Sequence, residues 1–326
     1  MMLKIGLVGA GYIGGVHARI LAADERVKLV GFADVVEKRA QDLANQFGGK
    51  AYTDYEQLLS SGIDAVYVTT PNTLHTPIVL SALAQGIHVF CEKPMAITFE
   101  DAKRIREAAR ASKRLYQIGH NRRFAPVYQF AKEKIAQGLV PYSANVKMNR
   151  GELKNPPWVW NKDITGGFLF ESTIHLLDMI RWLMGEVLEL DCRARANVYP
   201  DLDDFVMILT FENDRYAAFS SCAHATWSFP FERIELYGDH AAIITEEMEK
   251  VTYSPGLGQE IVRRDYFQLT NPEKWGYIKE DQLFVTAVLE GKAPPVTVDD
   301  AYKSIELVEA CYRSARSGQR VALPLA

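Results

Sequence analysis

The sequence predicts an α/β domain with a parallel sheet over residues 1–122, followed by an α+β domain with antiparallel strands over 123–326. Three observations carry this. Short apolar runs alternate with helical segments through the first part, and the runs are hydrophobic throughout, as strands covered on both faces must be. A Gly-x-Gly-x-x-Gly turn, Gly9 to Gly14, follows the first run and opens a helix. Beyond about residue 122 the runs lengthen and alternate apolar with polar residues, which suits strands with one covered face.

Taken in order, Lys4-Ile5-Gly6-Leu7-Val8 is the first strand, and residues 15–23 are helical after the glycine turn. Residues 27–33 form a second strand ending at Asp34, and a helix over 37–47 stops at Gly48-Gly49. Residues 65–69 are a near-continuous β-branched run, closed by the turn Thr70-Pro71-Asn72. A helix over 77–84 stops near Gly86. Ile87-His88-Val89-Phe90-Cys91 is a buried strand, and Glu92-Lys93-Pro94 follows it directly. A helix over 98–112 and a strand over 115–118 complete the first part. The second part opens with an amphipathic helix over 124–137. Segments 144–150, 189–198, 205–212, 216–226 and 231–237 alternate as strands do. Residues 168–184 form a helix between Gly166-Gly167 and Gly185. An amphipathic helix over 298–317 ends at Gly318, and this C-terminal segment is expected to pack back on the first domain.

Composition excludes several classes. A formal net charge of −4 offers no basic footprint for nucleic acid. No apolar stretch approaches the ~20 residues that a membrane span needs. The N-terminus does not read as a signal peptide, because the first strand runs straight into the glycine turn. Cys91, Cys192, Cys222 and Cys311 are scattered without metal-type pairing, and read as reduced thiols of a cytoplasmic protein.

The glycine turn has a chemical reading. Gly9 permits the tight bend, Gly11 lets a pyrophosphate approach the backbone, and Gly14 lets helix pack on strand. The helix start offers free N–H groups and a positive dipole end to phosphates, with Tyr12 and Ile13 contributing through their backbone. Asp34 stands twenty positions after Gly14, where a carboxylate accepts hydrogen bonds from an adenosine ribose and repels a 2′-phosphate. Val35-Val36 follow with no arginine, so NAD is favoured over NADP. Lys93 lies at the C-terminal end of a strand, where open α/β sheets bind ligands, and Pro94 restricts it to extended conformations. By itself it is either a surface lysine in a turn or a lysine poised at the cofactor. His75 is either a neighbour of the cofactor or a residue at the start of a helix.

The helix over 168–184 carries the second group of candidates. Leu169, Thr173, Leu176, Leu177, Ile180, Leu183 and Met184 fall on one stripe, with Glu171, His175 and Asp178 opposite. That polar side either faces water or is a site. Two features favour a site. The helix is otherwise strongly apolar, and a histidine flanked by acids suits general-base chemistry near neutral pH. Glu, His and Asp are all metal ligands, yet no cysteine or second histidine stands at ligand spacing, so no metal is assigned. Arg123, Asn149, Arg150, Trp158, Trp160, Asn161 and His224 are candidate linings of a substrate pocket. Trp158 and Trp160 either stack on a sugar ring or fill a core.

These motifs together resemble the Gfo/Idh/MocA oxidoreductases, a family that includes inositol and sugar dehydrogenases. The residues that carry the likeness are Gly9-Ala10-Gly11-Tyr12-Ile13-Gly14, Thr69-Thr70-Pro71-Asn72-x-x-His75, Glu92-Lys93-Pro94, Gly166-Gly167 leading to His175-Leu176-Leu177-Asp178, and the run from Val298 to Pro324. The resemblance implies a Rossmann domain followed by a domain with a large, mostly antiparallel sheet that often mediates dimers or tetramers. It implies NAD contacts from the glycine turn, Asp34, Thr70, Pro71, Asn72, His75, Glu92 and Lys93. It also implies that Lys93 contacts the substrate hydroxyl and the nicotinamide ribose, and that His175 is the general base. Many members carry an aspartate four residues before that histidine. Here Glu171 takes the position, with Ser172-Thr173 where a glycine is common.

The expected activity is therefore hydride transfer between a secondary alcohol of a sugar, cyclitol or related polyol and the nicotinamide. His175 would be the base, Lys93 would polarise the oxygen, and Glu171 would hold a hydroxyl or the imidazole. Asp178 is expected to serve either the substrate or the structure. Two other readings share the fold: an NAD-retaining enzyme with net non-redox, glycosidase-like chemistry, and a non-enzymatic dinucleotide sensor. A sensor needs neither Lys93 nor His175.

Overall fold

The computed structural model describes residues 2–227 and 231–326. The chain divides into two units, Met1–His120 with Tyr277–Ile305, and Asn121–Gly276 with Glu306–Ala326. The sequence boundary at residue 122 lies just past this division. No helix among the described residues is long and apolar enough to cross a membrane.

In the first unit Leu3–Val8 (β1), Tyr12–Ala22 (α1), Val27–Ala33 (β2), Glu37–Phe47 (α2), Lys50–Tyr52 (β3), Tyr55–Leu59 (α3), Ala65–Val68 (β4), His75–Ala84 (α4), His88–Glu92 (β5), Phe99–Ala111 (α5) and Tyr116–Gly119 (β6) follow one another. The strands pair in parallel in the order β3-β2-β1-β4-β5-β6. Every residue of β4 is buried, as a strand with helices over both faces must be. The order reverses between β1 and β4, which leaves a crevice outside their C-terminal ends. The turns after β1, β4 and β5 open at that edge and carry Gly9–Gly14, Thr69–Asn72 and Lys93. The local signals work as read: Gly48, at φ +81°, ends α2, and the Thr98 side chain accepts the Asp101 N–H at the start of α5.

This unit also takes a helix from far down the chain. Tyr277–Glu290 sends Phe284 and Val285 into the core. The Phe284 ring lies 5.5 Å from that of Tyr67 and 5.6 Å from that of Phe90. The sequence reading does not include this helix. It buries Glu280 and Asp281 on its inward side, so its apolar stripe is interrupted where the pattern is sought.

In the second unit Pro126–Ala136 (α6), Ser143–Asn149 (β7), Lys162–Thr165 (α7) and Ile174–Met184 (α8) lead into Val187–Arg195 (β8), Asp204–Phe211 (β9), Tyr216–Cys222 (β10), Glu232–Tyr237 (β11), Ala242–Glu246 (β12), Lys250–Ser254 (β13), Val262–Asp265 (β14) and Val321–Ala322 (β15). Among the described residues these strands form one sheet of nine, ordered β14-β13-β12-β11-β7-β10-β9-β8-β15. All neighbours are antiparallel except the central β7–β10 pair, which is parallel. Burial alternates along β9, so one face of the sheet is covered and the other is not.

The helix expected over 168–184 is two structures. Leu169–Thr173 is a π-helical turn, and the α-helix begins only at Ile174. Thr173 Oγ1 lies 2.8 Å from Ser221 Oγ, which donates to the Met148 carbonyl at 2.6 Å, so the turn is anchored on the β7–β10 pair. The side of α8 that could have faced water does not: Asp178 is fully buried and His175 is 9% exposed. A helix buried nearly all round belongs to an interior, whatever its polar residues suggest.

Candidate active site

On the first unit, the glycine turn can be tested against the protein's own packing. A Cβ at Gly14 would stand 2.1 Å from the Gly9 carbonyl oxygen. One at Gly9, whose φ is +99°, would stand 2.5 Å from that of Thr69. Backbone packing alone therefore demands both glycines. At Gly11 a Cβ would meet nothing within 4 Å. Its bareness leaves room at the start of α1, where no side chain caps the free N–H groups. A pyrophosphate fits there, because it brings acceptors to uncapped donors at the positive helix end. Asp34 is fixed behind the turn, with Oδ2 accepting the Ala10 N–H at 2.9 Å and Oδ1 the Val36 N–H at 2.8 Å. Tyr12 is exposed and Ile13 half-buried beside the same turn. This donor and acceptor set fits NAD.

The Lys93 turn rests on a buried network. Glu92 Oε2 accepts the Lys93 N–H at 3.1 Å. Its Oε1 lies 3.1 Å from His17 Nε2, and His17 Nδ1 lies 2.9 Å from both oxygens of Asp281. His17 is fully buried on the inner face of α1, and Asp281 comes from the helix Tyr277–Glu290. Burial would lower the His17 pKa, but the charge and hydrogen bond of Asp281, then those of Glu92, raise it to about 10. Burial acts upward on Glu92 and is outweighed by the hydrogen bond and charge of His17, with Lys93 adding to them, so Glu92 falls below the usual range. Burial also lifts Asp281, and there it prevails. The two ends of the network thus pull differently. A neutral ring would set a lone pair against one carboxylate, so we assign His17 as imidazolium at neutral pH, flanked by two carboxylates.

His75 joins two of the edge turns. Its Nδ1 lies 2.7 Å from the Pro94 carbonyl and its Nε2 2.9 Å from that of Thr70. Two carbonyl acceptors favour a second N–H on the ring, but burial outweighs them and lowers its pKa. His75 and Glu92, expected to contact NAD, also have partners within the protein. Both are buried, and their polar atoms already serve the protein. They stand behind the Lys93 turn and hold it. Asn72 is buried at the neighbouring turn, with Thr70 partly buried and Pro71 exposed.

On the second unit, His175 opens the α-helix that follows the π turn, and Glu171, half-buried, sits in the turn itself. Such turns insert one residue into the helical ladder and recur at functional sites. Arg123, a candidate substrate residue, and Asp178, expected to serve either the substrate or the structure, pair with one another: Nε to Oδ2 and Nη2 to Oδ1, each 2.7 Å. Both are buried, so their charges are committed to one another. Arg122 is similarly committed to Glu232 at 2.8 Å, and Tyr128 donates to the other oxygen of that carboxylate at 2.7 Å. Asn149 Oδ1 accepts the Cys222 N–H at 3.2 Å and so ties the ends of the parallel strand pair. Trp158 is half-buried and Trp160 exposed in the segment before α7. Asn161 caps α7 by accepting the Asp163 N–H, and His224 lies 3.8 Å from Asp203. Arg150 donates through Nη1 to Ser172 Oγ at 3.1 Å, with its guanidinium 5.7 Å from the Trp227 ring.

Sequence reasoning missed His17, Asp281 and Trp227. A histidine in the first turns of a helix that packs on a parallel sheet was a usable signal, because a buried titratable group requires a partner. Its partner, 264 positions away, was not visible from spacing.

A family model described as "Oxidoreductase family, NAD-binding Rossmann fold" matches residues 3–120, and one described as "Oxidoreductase family, C-terminal alpha/beta domain" matches residues 132–323. The chain belongs to the Gfo/Idh/MocA oxidoreductases. It is an NAD-dependent dehydrogenase of that family. Inositol 2-dehydrogenase of Rhizobium meliloti (strain 1021) is 28% identical, over 99% of this chain and 100% of that protein. Inositol 2-dehydrogenase of Rubrobacter xylanophilus is 30% identical, over 97% and 92%. Among solved structures, GenD2 from gentamicin A biosynthesis in complex with NAD superposes with a TM-score of 0.86 at 27% identity, covering 99% of this chain and 97% of that one.

Proposed function

We propose that this dehydrogenase oxidises a secondary alcohol of a sugar, cyclitol or related polyol. The observation that carries the reading is His175, nearly buried at the junction of a π turn and an α-helix, in a chain whose Lys93 turn is braced by Glu92, His17 and Asp281. The relatives named inositol 2-dehydrogenases support the substrate class. When bound, NAD supplies the hydride acceptor at its nicotinamide ring. The chain's own residues do the rest. His175 accepts the hydroxyl proton. The Lys93 ammonium polarises that oxygen and stabilises the developing alkoxide, a role that requires its turn to be held in place beforehand. Glu171 binds a neighbouring hydroxyl or orients the imidazole. Gly11, the start of α1 and Asp34 hold the dinucleotide.

Assembly belongs to the same proposal. Leu188, Val206, Ile208 and Tyr216 are exposed on the uncovered face of the sheet, around strands β8 to β10. A homodimer or homotetramer formed through that face would remove them from water. The four free cysteines suit a cytoplasmic protein.

The test is a panel of polyols and sugars with NAD, read as NADH absorbance. Turnover of at least one neutral or acidic polyol is expected. Lys93→Ala and His175→Ala should lose most of that turnover, and His175→Ala should bind NAD as the wild type does. Unchanged turnover in His175→Ala would remove the general-base assignment.

A further inference from the structure

The arginines of the second unit differ in one respect. Arg122 and Arg123 each meet a buried carboxylate, Glu232 and Asp178. Arg150 meets none. Among the described residues no carboxylate stands at ion-pairing distance from it, and its Nε is buried without a hydrogen-bond partner. Burial lowers its pKa, and the attraction of Glu171, Glu152 and Tyr199 does not offset this. Arginine keeps its charge regardless, so among the described residues the fold carries a partly buried cation with no carboxylate at ion-pairing distance. Leaving a buried charge uncompensated is costly, and proteins retain such groups where a ligand supplies the partner.

The surroundings define what that ligand is. Nη1 is held by Ser172, inside the π turn that leads to His175, so the guanidinium is oriented relative to the proposed base. The edge formed by Nε and Nη2 remains, and that side-on edge matches the two oxygens of a carboxylate. Trp227 lies over the guanidinium, and a Cβ at Gly151 would stand 2.6 Å from its ring, so glycine is what lets the indole come this close. One unpaired cation balances one negative charge. A phosphate dianion would call for a second cation, and the two arginines before α6 are already neutralised.

We infer that Arg150 is a carboxylate-binding subsite, and that the substrate class is a polyol acid, an aldonate or uronate, oxidised at a hydroxyl. This rests on the dehydrogenase reading above and narrows it. The carboxylate docks on the Nε–Nη2 edge, and His175, three residues beyond Ser172, addresses a hydroxyl of the same molecule.

The experiment compares acids with their neutral counterparts in the intact protein. D-gluconate, D-glucuronate and D-galacturonate are set against D-glucose, D-galactose and myo-inositol, with D-glucose 6-phosphate as the phosphate arm. Initial NADH formation is measured, together with calorimetric binding to the NADH-loaded protein. At least one acid should exceed its neutral counterpart in kcat/KM by roughly 10- to 100-fold, the range of one charge-assisted bidentate contact. Arg150→Gln should raise KM for that acid by a similar factor, and by clearly more than it raises KM for a neutral polyol, and leave NAD binding intact. Arg150→Lys should recover part of the loss. If Arg150→Gln fails to fold, the wild-type ranking and Arg150→Lys still decide. A preference for neutral polyols over every acid overturns the subsite and leaves the dehydrogenase reading standing. A preference for the sugar phosphate that depends on Arg150 overturns the carboxylate assignment. No NADH from any arm, with NAD binding intact, counts instead against the polyol-dehydrogenase reading beneath it.

Discussion

Beneath the Lys93 turn, the imidazolium of His17 is clamped between Asp281 and Glu92, and Glu92 in turn holds the Lys93 backbone. Around α8 of the second unit, Arg123 and Asp178 pair in the same manner, but Arg150, held by Ser172 and lying against Trp227, pairs with no acid among the described residues. The contrast separates two uses of buried charge. Closed clusters add little net stability, because desolvation offsets most of the attraction. Their value is geometric: each braces a backbone segment that carries a residue of the proposed site. The open cation holds Ser172 through one nitrogen and leaves the Nε–Nη2 edge for the proposed ligand.

Truncation should expose this difference most strongly. Arg123→Ala removes the buried cation that faces Asp178, and His17→Ala removes the one between Glu92 and Asp281. Each is expected to cost about 3–5 kcal/mol in urea or thermal unfolding. Arg150→Gln removes a charge with no carboxylate at ion-pairing distance among the described residues and should change Tm far less. A loss for Arg150→Gln as large as that for Arg123→Ala would erase the distinction. For His17, kcat should fall beyond what the fraction folded explains, and His17→Gln, which can still donate one hydrogen bond, should recover part of it.

The closed cluster also has a pH signature. His17 is raised from an ordinary 6.5 to about 10, so its contribution to stability is complete below pH 6.5 and disappears as the pH rises through 10. Glu92 is lowered, so its contribution is present above an ordinary 4.5 and is lost as the pH falls towards its folded value. Wild-type Tm should therefore decline between pH 6.5 and 10, and the decline should flatten in His17→Gln. Parallel curves for the two proteins would show that the imidazole is not the group that holds the proton.

A smaller effect distinguishes the glycines. Gly14→Ala forces a Cβ against the Gly9 carbonyl, and overpacking of this kind costs about 1–3 kcal/mol. Gly11→Ala meets no protein atom. It should keep the wild-type Tm and weaken NAD binding by calorimetry. Equal Tm losses for the two variants would remove the ligand-based reading of Gly11.

How much of this was legible in the sequence follows the same division. Gly9, Gly11, Gly14 and Asp34 lie within a short stretch, and their spacing alone gives the first crossover and the cofactor edge. Strands β12 to β14 were not legible. They are short, and β14, Val-Arg-Arg-Asp, is a charged edge strand whose exposed residues show no alternation. The stripe on residues 168–184 gave the existence of a helix but not its break, because a π turn adds a residue without a compositional mark. The polar residues of that helix looked like one face. Their surroundings differ, with Asp178 paired to Arg123 and Glu171 only half-buried, and depend on partners supplied by other elements. His17 and Asp281 make the same point across nearly the whole chain: long-range pairing of buried charge leaves no local periodicity.

The most direct measurement of the central claim is NADH formation by wild type and His175→Ala side by side, with the best polyol of the panel and with NAD affinity determined for both. The account predicts that wild type reduces NAD and that His175→Ala loses roughly 10²- to 10⁴-fold in kcat at unchanged NAD affinity. Equal kcat in the two proteins, or no NADH from a wild type that binds NAD, would contradict it.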